Sequence, residues 1–331
     1  MPQEHTRTKK NLFTAERLWD IWCIASVIGL WPRYIEPNLL PVSRLRIPIT
    51  NLPSALSGLR IIHISDLHLN KGTTKYFLHK LKRKIIEELP DLIVFTGDFL
   101  CFSQLQNKTR LKKFLNELPT APYGNYAILG NHDYQSFVSI DANGDYAIQE
   151  QNTAESPIIK GFKRLFSKIT ISGKIKKGIS CIPMKHELVE ILQESCFQLL
   201  HNETHTLKIE GVPFNITGLG EHMMDRCKPD QAFKNYNQDG PGLILVHNPD
   251  AIPSLLDKPG HLILSGHTHG GQINLPFIWR KFVLLENMRY VKGLFEEKQK
   301  KIYITRGLGG VLNFRWFCPP ELVSITLECA R

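Results

Sequence analysis

"LSGHTHGGQ", residues 264–272, closes an apolar run with two histidines one residue apart, set among small residues. The run "HLILS" (261–265) is too short for a helix of its own and suits a strand covered on both faces. Reading it so puts His267 and His269 at a carboxyl end, the edge where α/β sheets place ligand sites. The same form occurs four more times. "LRIIHIS" (59–65) leads into Asp66-Leu67-His68, and "DLIVFTG" (91–97) into Asp98. "NYAILG" (125–130) leads into Asn131-His132-Asp133, and "GLILV" (242–246) into His247. Five strands that each deliver Asp, Asn or His predict an α/β domain with polar side chains gathered at one edge.

Around these strands the spacing predicts helices over Thr74–Glu88, with Phe77, Leu78, Leu81 and Ile85 on one face, and over Lys185–Cys196. Toward the carboxyl terminus "KFVLL" (281–285), "RYVKGLF" (289–295), "KIYITRG" (301–307) and "LVSITLE" (322–328) read as strands of a second sheet. The expected fold is therefore a two-sheet β-sandwich flanked by helices.

The chain has 331 residues, 42% of them hydrophobic, which supports a large core and excludes a disordered protein. Net charge is +10, which suggests an anionic partner. Seven basic residues and no acidic one lie between Ile158 and Ile182, so most of the excess belongs to one segment. The seven cysteines form no Cys-x-x-Cys pair, which argues against a disulfide framework or a thiolate zinc site and for a reducing compartment.

Two segments face a membrane in this reading. Residues 1–45 hold basic residues and then an apolar run, Leu18–Trp31, whose 14 residues fall short of the roughly 20 that span a bilayer. Trp19, Trp22 and Trp31 suit an interface, where an apolar ring with one polar edge is favoured, so the run is expected to dock or insert shallowly. The remaining domain, 46–331, carries an insert at about 135–184. Within the insert, Ile158, Phe162, Leu165, Phe166 and Ile169 share a helical face opposite lysines, which fits an anionic membrane surface or a lid over the site. A helix packed on the body, with its lysines merely solvated, fits the same pattern.

Carboxylate, imidazole and amide donors together suit Mn, Fe or Zn better than Ca or Mg. Seven such donors exceed what one tetrahedral ion takes and suffice for two ions sharing a carboxylate. His63 lies within its strand and reads as a buried structural residue. His79, His186, His201, His205 and His261 lack a comparable context.

Taken in order, Asp66-x-His68, Gly97-Asp98, Gly130-Asn131-His132-Asp133, His247 and Gly266-His267-x-His269 resemble the five motif blocks of the calcineurin-like metallophosphoesterase superfamily. The resemblance implies two divalent metal ions, Mn2+ first with Fe or Zn as alternatives. It assigns Asp66, His68 and His269 to one, Asn131, His247 and His267 to the other, and Asp98 to both. It makes His132 the group beside the phosphate and Asp133 the residue that orients it, with a bridging hydroxide attacking in line. Arg306 and Arg315, which follow a further strand, are candidate phosphate contacts, with a structural salt bridge as the equal alternative.

"ISDLHLN", "TGDFL", "GNHDY" and "LSGHTHGGQINLP", with the tryptophan-rich start, look like the membrane-associated bacterial branch, near the chlamydial-type UDP-2,3-diacylglucosamine pyrophosphatases of lipid A synthesis. That likeness implies a lipid-linked UDP-sugar substrate and an anionic membrane surface as partners, with no nucleic acid and no protein partner. It also implies peripheral association with the cytoplasmic face of the bacterial inner membrane. Another phosphodiesterase or nuclease on the same metal core, and a non-catalytic membrane adaptor, remain as alternatives.

Overall fold

The computed structural model describes residues 14–149 and 170–330. Its strands form two six-stranded sheets and a hairpin. The first sheet takes β1 (Val42–Ile49), β2 (Arg60–Ile64), β3 (Leu92–Thr96), β4 (Asn125–Ile128), β7 (Phe197–Leu199) and β14 (Leu322–Cys329), in the order β1-β14-β2-β3-β4-β7. The second takes β8 (Glu203–Ile209), β9 (Val212–Gly218), β10 (Gly242–Leu245), β11 (Leu262–Ser265), β12 (Gly293–Glu297) and β13 (Lys300–Ile304), in the order β12-β13-β11-β10-β9-β8. The hairpin pairs β5 (Val138–Ile140) with β6 (Tyr146–Ile148). β2, β3 and β4 run parallel, as do β9, β10, β11 and β13, so each sheet directs several carboxyl ends to one edge.

Side-chain alternation explains the layers. Ile61, Val94 and Ile128 of the first sheet pack against Ile216, Leu243, Leu245 and Leu264 of the second, forming the middle of the sandwich. Their neighbours Ile62, Ile64, Ile93 and Phe95 face outward and are covered by helices α2 (Lys75–Glu87), α3 (Lys108–Asn116) and α4 (His186–Gln193). Ile244 and Ile263 face the other way, onto Phe233, Ile252 and Leu255. Strands covered on both faces read as unbroken apolar runs, the pattern from which they were predicted. α2 begins where Thr74 accepts a hydrogen bond from the Phe77 N–H, an N-cap, and buries the four residues expected of it.

Two expectations for the carboxyl-terminal strands are corrected. "LVSITLE" is β14 of the first sheet, parallel to β1 and antiparallel to β2. "KFVLL" forms no strand; it runs from a short 3-10 turn, Trp279–Phe282, into a loop. The hairpin β8–β9 and the edge strand β1, which begins inside the segment expected as a linker, are additions.

At the amino-terminal end, helix α1 (Ala15–Ala25) continues into a wider π-type coil, Ser26–Ile35, closed by the Glu36 N–H on the Trp31 carbonyl. α1 buries none of its residues. Trp19 and Trp22 stack on each other, 5.3 Å between ring centres, and more than half of each is exposed. No helix among the described residues is long and apolar enough to cross a membrane. Phe162, Leu165 and Phe166 lie outside the described residues.

Candidate metal centre

The loops after β2, β3, β4, β10 and β11 meet at the edge shared by both sheets. Asp66 and His68 N–H groups bond to the Gly97 and Asp98 carbonyls, which ties the first two loops together. His247 of the second sheet donates through Nδ1 to the Thr96 carbonyl of the first, 2.6 Å away. Asp66, His68, Asp98, His267 and His269 all adopt left-handed backbone angles, with φ from 44° to 69°. Each such residue costs on the order of 1 kcal/mol, and such outliers gather where geometry serves function. Gly266 permits the closest approach: a Cβ there would fall inside the shells of Ser65 Oγ and an Asp66 carboxylate oxygen.

Ligand-competent atoms form two groups joined at one oxygen. In the first, His68 Nε2 lies 3.1 Å from His269 Nε2, and Asp66 Oδ1 lies 4.0 and 3.7 Å from these. In the second, His267 Nδ1 lies 3.3 Å from His247 Nε2 and 3.2 Å from Asn131 Oδ1, while Asn131 Nδ2 donates to the Val138 carbonyl. Asp98 Oδ2 stands between them, 3.4 Å from His68 Nε2 and 3.2 Å from His247 Nε2. Two atoms each about 2.1 Å from one ion and at right or tetrahedral angles lie roughly 3.0–3.4 Å apart. The donor set fits divalent cations on chemical grounds as well. His68 and His247 use their Nδ1 protons on the carbonyls of Leu100 and Thr96, so their Nε2 lone pairs face the other donors and carboxylates. Lone pairs aimed at lone pairs call for a cation or a proton between them.

The charges point the same way. Burial alone would raise the Asp98 carboxyl, but His247, His132 and His68 hold it well below the usual range. Burial opposes a charge on His247, yet Asp98 raises it well above an ordinary imidazole. Burial pushes His267 down to about 3 and His269 well below its usual value. Burial also raises Asp66.

These directions predict opposite pH trends with and without metal. In chelator, the lowered Asp98 contributes stability above about 3.8 that is lost as pH falls through its folded pKa, and the raised His247 contributes stability below about 6.5 that is lost as pH rises through its folded pKa. Metal-free protein should therefore melt at lower temperature as pH climbs past the His247 transition. Mn2+ affinity should climb over the same range, because His247 must lose its proton to ligate. Scanning calorimetry in chelator and Mn2+ titrations from about pH 6.5 upward, above the range in which the lowered His267 and His269 act oppositely, check the two slopes, and parallel slopes would sink the charge assignment.

His132 sits beside these groups. Its Nδ1 accepts the Phe102 N–H at 2.8 Å, so Nε2 carries the proton of the neutral ring; that nitrogen lies 3.9 Å from Asp98 Oδ2. Asp133, expected to orient His132, bonds elsewhere. The Asp133 carboxylate accepts the N–H groups of Asp98, Leu100 and Gly130, at 2.7 to 3.0 Å, and so clamps the two loops that carry Asp98 and His132. Burial, then the Asp98 charge, push it up to about 7. Arg306 pairs with Glu321, 2.7 Å away, and keeps about a quarter of its side chain exposed. Arg315 is buried and donates to the carbonyls of Cys318, Arg306, Gly307 and Gly309, bracing the loop beside Asp66. His63 is buried against Thr96 Oγ1, 2.8 Å away.

One cluster at this edge escaped the sequence reading. Glu221 and His222 follow β9, and His222 Nε2 lies 3.3 Å from Glu286 Oε1, which also accepts the Tyr146 hydroxyl at 2.7 Å. The contact ties the β5–β6 hairpin to the wall of the site. The signal was the same one used elsewhere, an apolar strand, a glycine and then Glu-His.

A family model described as "Calcineurin-like phosphoesterase" matches residues 59–271, which include every one of these candidate ligands. The chain belongs to that family. It is a metallophosphoesterase, a hydrolase, and its Asp and His clusters are suited to divalent metal. It is 41% identical to the UDP-2,3-diacylglucosamine pyrophosphatase LpxG of Chlamydia muridarum, over 88% of this chain and 91% of that one. Identity to LpxG of Chlamydia trachomatis is 42%, with the same coverage of each chain. The phosphodiesterase YaeI of Escherichia coli is similar at 27% identity, over 89% of this chain and 90% of its own.

Proposed function

We propose that this chain hydrolyses the pyrophosphate bond of UDP-2,3-diacylglucosamine, giving UMP and 2,3-diacylglucosamine 1-phosphate. The observation that carries the reading is identity above 40% along nearly the whole chain to two proteins of that name. The roles given to the site residues belong to the same proposal. Bound there, a pair of divalent cations, Mn2+ first and Fe or Zn next, would supply Lewis acidity toward the phosphoryl oxygens and toward the attacking water. Asp66, His68 and His269 would hold one ion, Asn131, His247 and His267 the other, with Asp98 within reach of both groups. His132, with its Nε2 proton aimed inward, donates to oxygen where negative charge grows. Asp133 keeps the β3 and β4 loops in register, and Arg306 stands at the rim as a phosphate contact.

The exposed α1 supports peripheral docking on the cytoplasmic face of the inner membrane, with Trp19, Trp22 and Trp31 in the interface of an anionic leaflet. A lipid-linked UDP-sugar then reaches the site without leaving the bilayer. The test is turnover of UDP-2,3-diacylglucosamine by Mn2+-loaded protein in oxygen-labelled water. The label is expected in one product phosphate, and its location identifies the phosphorus attacked. Hydrolysis of bis(p-nitrophenyl) phosphate without turnover of the lipid would leave another phosphodiesterase, and absence of both metal and turnover would leave an adaptor.

A further inference from the structure

We propose that Glu36 is a positioning residue for His269, which makes the segment between the exposed amino-terminal helix and the first sheet part of the metal site. The inference rests on reading Asp66, His68 and His269 as one ligand set.

His269 differs from His68 and His247 in how it is held. His68 and His247 each fix their rings through an Nδ1 bond to a backbone carbonyl. His269 Nδ1 is buried without a hydrogen-bond partner. Its aim at His68 Nε2 and Asp66 therefore depends on its backbone, a left-handed residue followed by a second, Gly270. The carbonyls of these two residues receive the Cys318 thiol, at 3.3 and 3.4 Å. Cys318 is itself placed by Glu36, whose carboxylate is buried and accepts the N–H groups of Cys318 and Phe317 and the Trp31 indole N–H.

The loop that carries Cys318, residues 313–318, is fastened twice more to the amino-terminal segment. Arg315 N–H donates to the Pro32 carbonyl at 2.8 Å, and Arg33 reaches the Asn313 carbonyl at 3.0 Å. On its other side it pairs with the loop after His269, through Asn274 N–H to Trp316 O and Trp316 N–H to Gln272 O. A path of hydrogen bonds runs from Trp31, a residue proposed to dock on the membrane, through Glu36 and Cys318 to a metal ligand. An unsupported ligand backbone relaxes toward ordinary angles, and its imidazole then leaves the polyhedron.

Full-length Glu36→Ala, Glu36→Gln and Cys318→Ala proteins, stripped of metal and titrated with Mn2+ in detergent, test this, with His269→Ala as the reference. Loss of the support should weaken one of two Mn2+ equivalents by about tenfold or more and leave the other unchanged, as such outer contacts do. Glu36→Gln, which keeps one acceptor oxygen, should fall between Glu36→Ala and wild type. Amide exchange at Gly270–Gln272 in metal-free protein should quicken in the alanine variants. If Glu36→Ala does not fold, Cys318→Ala carries the same readouts alone. Wild-type affinity at both equivalents in a folded variant, with one equivalent lost in His269→Ala, overturns this inference only. Two intact equivalents in His269→Ala overturn the ligand reading beneath it.

Discussion

His132→Ala should lose about a hundred- to ten-thousand-fold in kcat while retaining both equivalents of Mn2+. The prediction separates a proton donor from a ligand. His132 Nε2 lies 3.9 Å from Asp98 Oδ2 and its ring meets the His68 ring edge-on, so proximity alone would admit it to a ligand set with those two residues. Its Nδ1 is taken by the Phe102 N–H, and Phe137 packs 4.5 Å from the ring, so the imidazole is held in one orientation with its proton inward. Truncation removes that donor. It leaves the His132 backbone N–H on Asp98 Oδ1, at 2.9 Å, so the carboxylate between the two groups keeps its orientation. Metal analysis beside kinetics decides the matter: loss of metal in step with activity would make His132 a ligand. If the proton goes to the leaving group, the defect should be larger for a diester with a poor leaving group than for bis(p-nitrophenyl) phosphate.

The gathering of these side chains was legible because each candidate ligand follows its strand within a few residues. A buried strand announces itself by apolar content, and the residues after it must sit at the sheet edge, so Asp66, Asp98, Asn131, His247 and His267 could be placed without knowing the strand order. The family likeness then assigned them to ions, which periodicity could not. Sheet membership was not legible. "LVSITLE" has the composition of a strand in either sheet, and its place between β1 and β2 is set by pairing across more than 250 residues of chain. The hydrogen-bond partners of Asp133 were not legible for a related reason. Sequence adjacency to His132 suggested a partnership, whereas the tight turn sends the carboxylate back to two amides of the preceding loop and one of its own. Glu36 carried no signal at all: an acidic residue beside a proline reads as a solvated turn until Cys318, 282 positions away, comes to rest on it.

Asp98→Ala should abolish tight binding of both equivalents of Mn2+ and bring turnover to background, the largest loss available from one side chain here. The other candidate ligands each belong to one group, so removing His269 or His267 takes a donor from one ion. Asp98 Oδ2 lies within 3.4 Å of donors in both groups, and its negative charge would offset two cations brought close together in a buried place. The effect should also appear in stability. A ligand at one hundred times its dissociation constant raises folding stability by about 2.7 kcal/mol per site, so saturating Mn2+ should raise the melting temperature of the wild type and leave that of Asp98→Ala unchanged. His269→Ala should show an intermediate rise. One retained equivalent of tight Mn2+ in a folded Asp98→Ala protein would mean that the carboxylate serves a single ion, and the shared oxygen on which the two-ion geometry depends would have to be sought elsewhere.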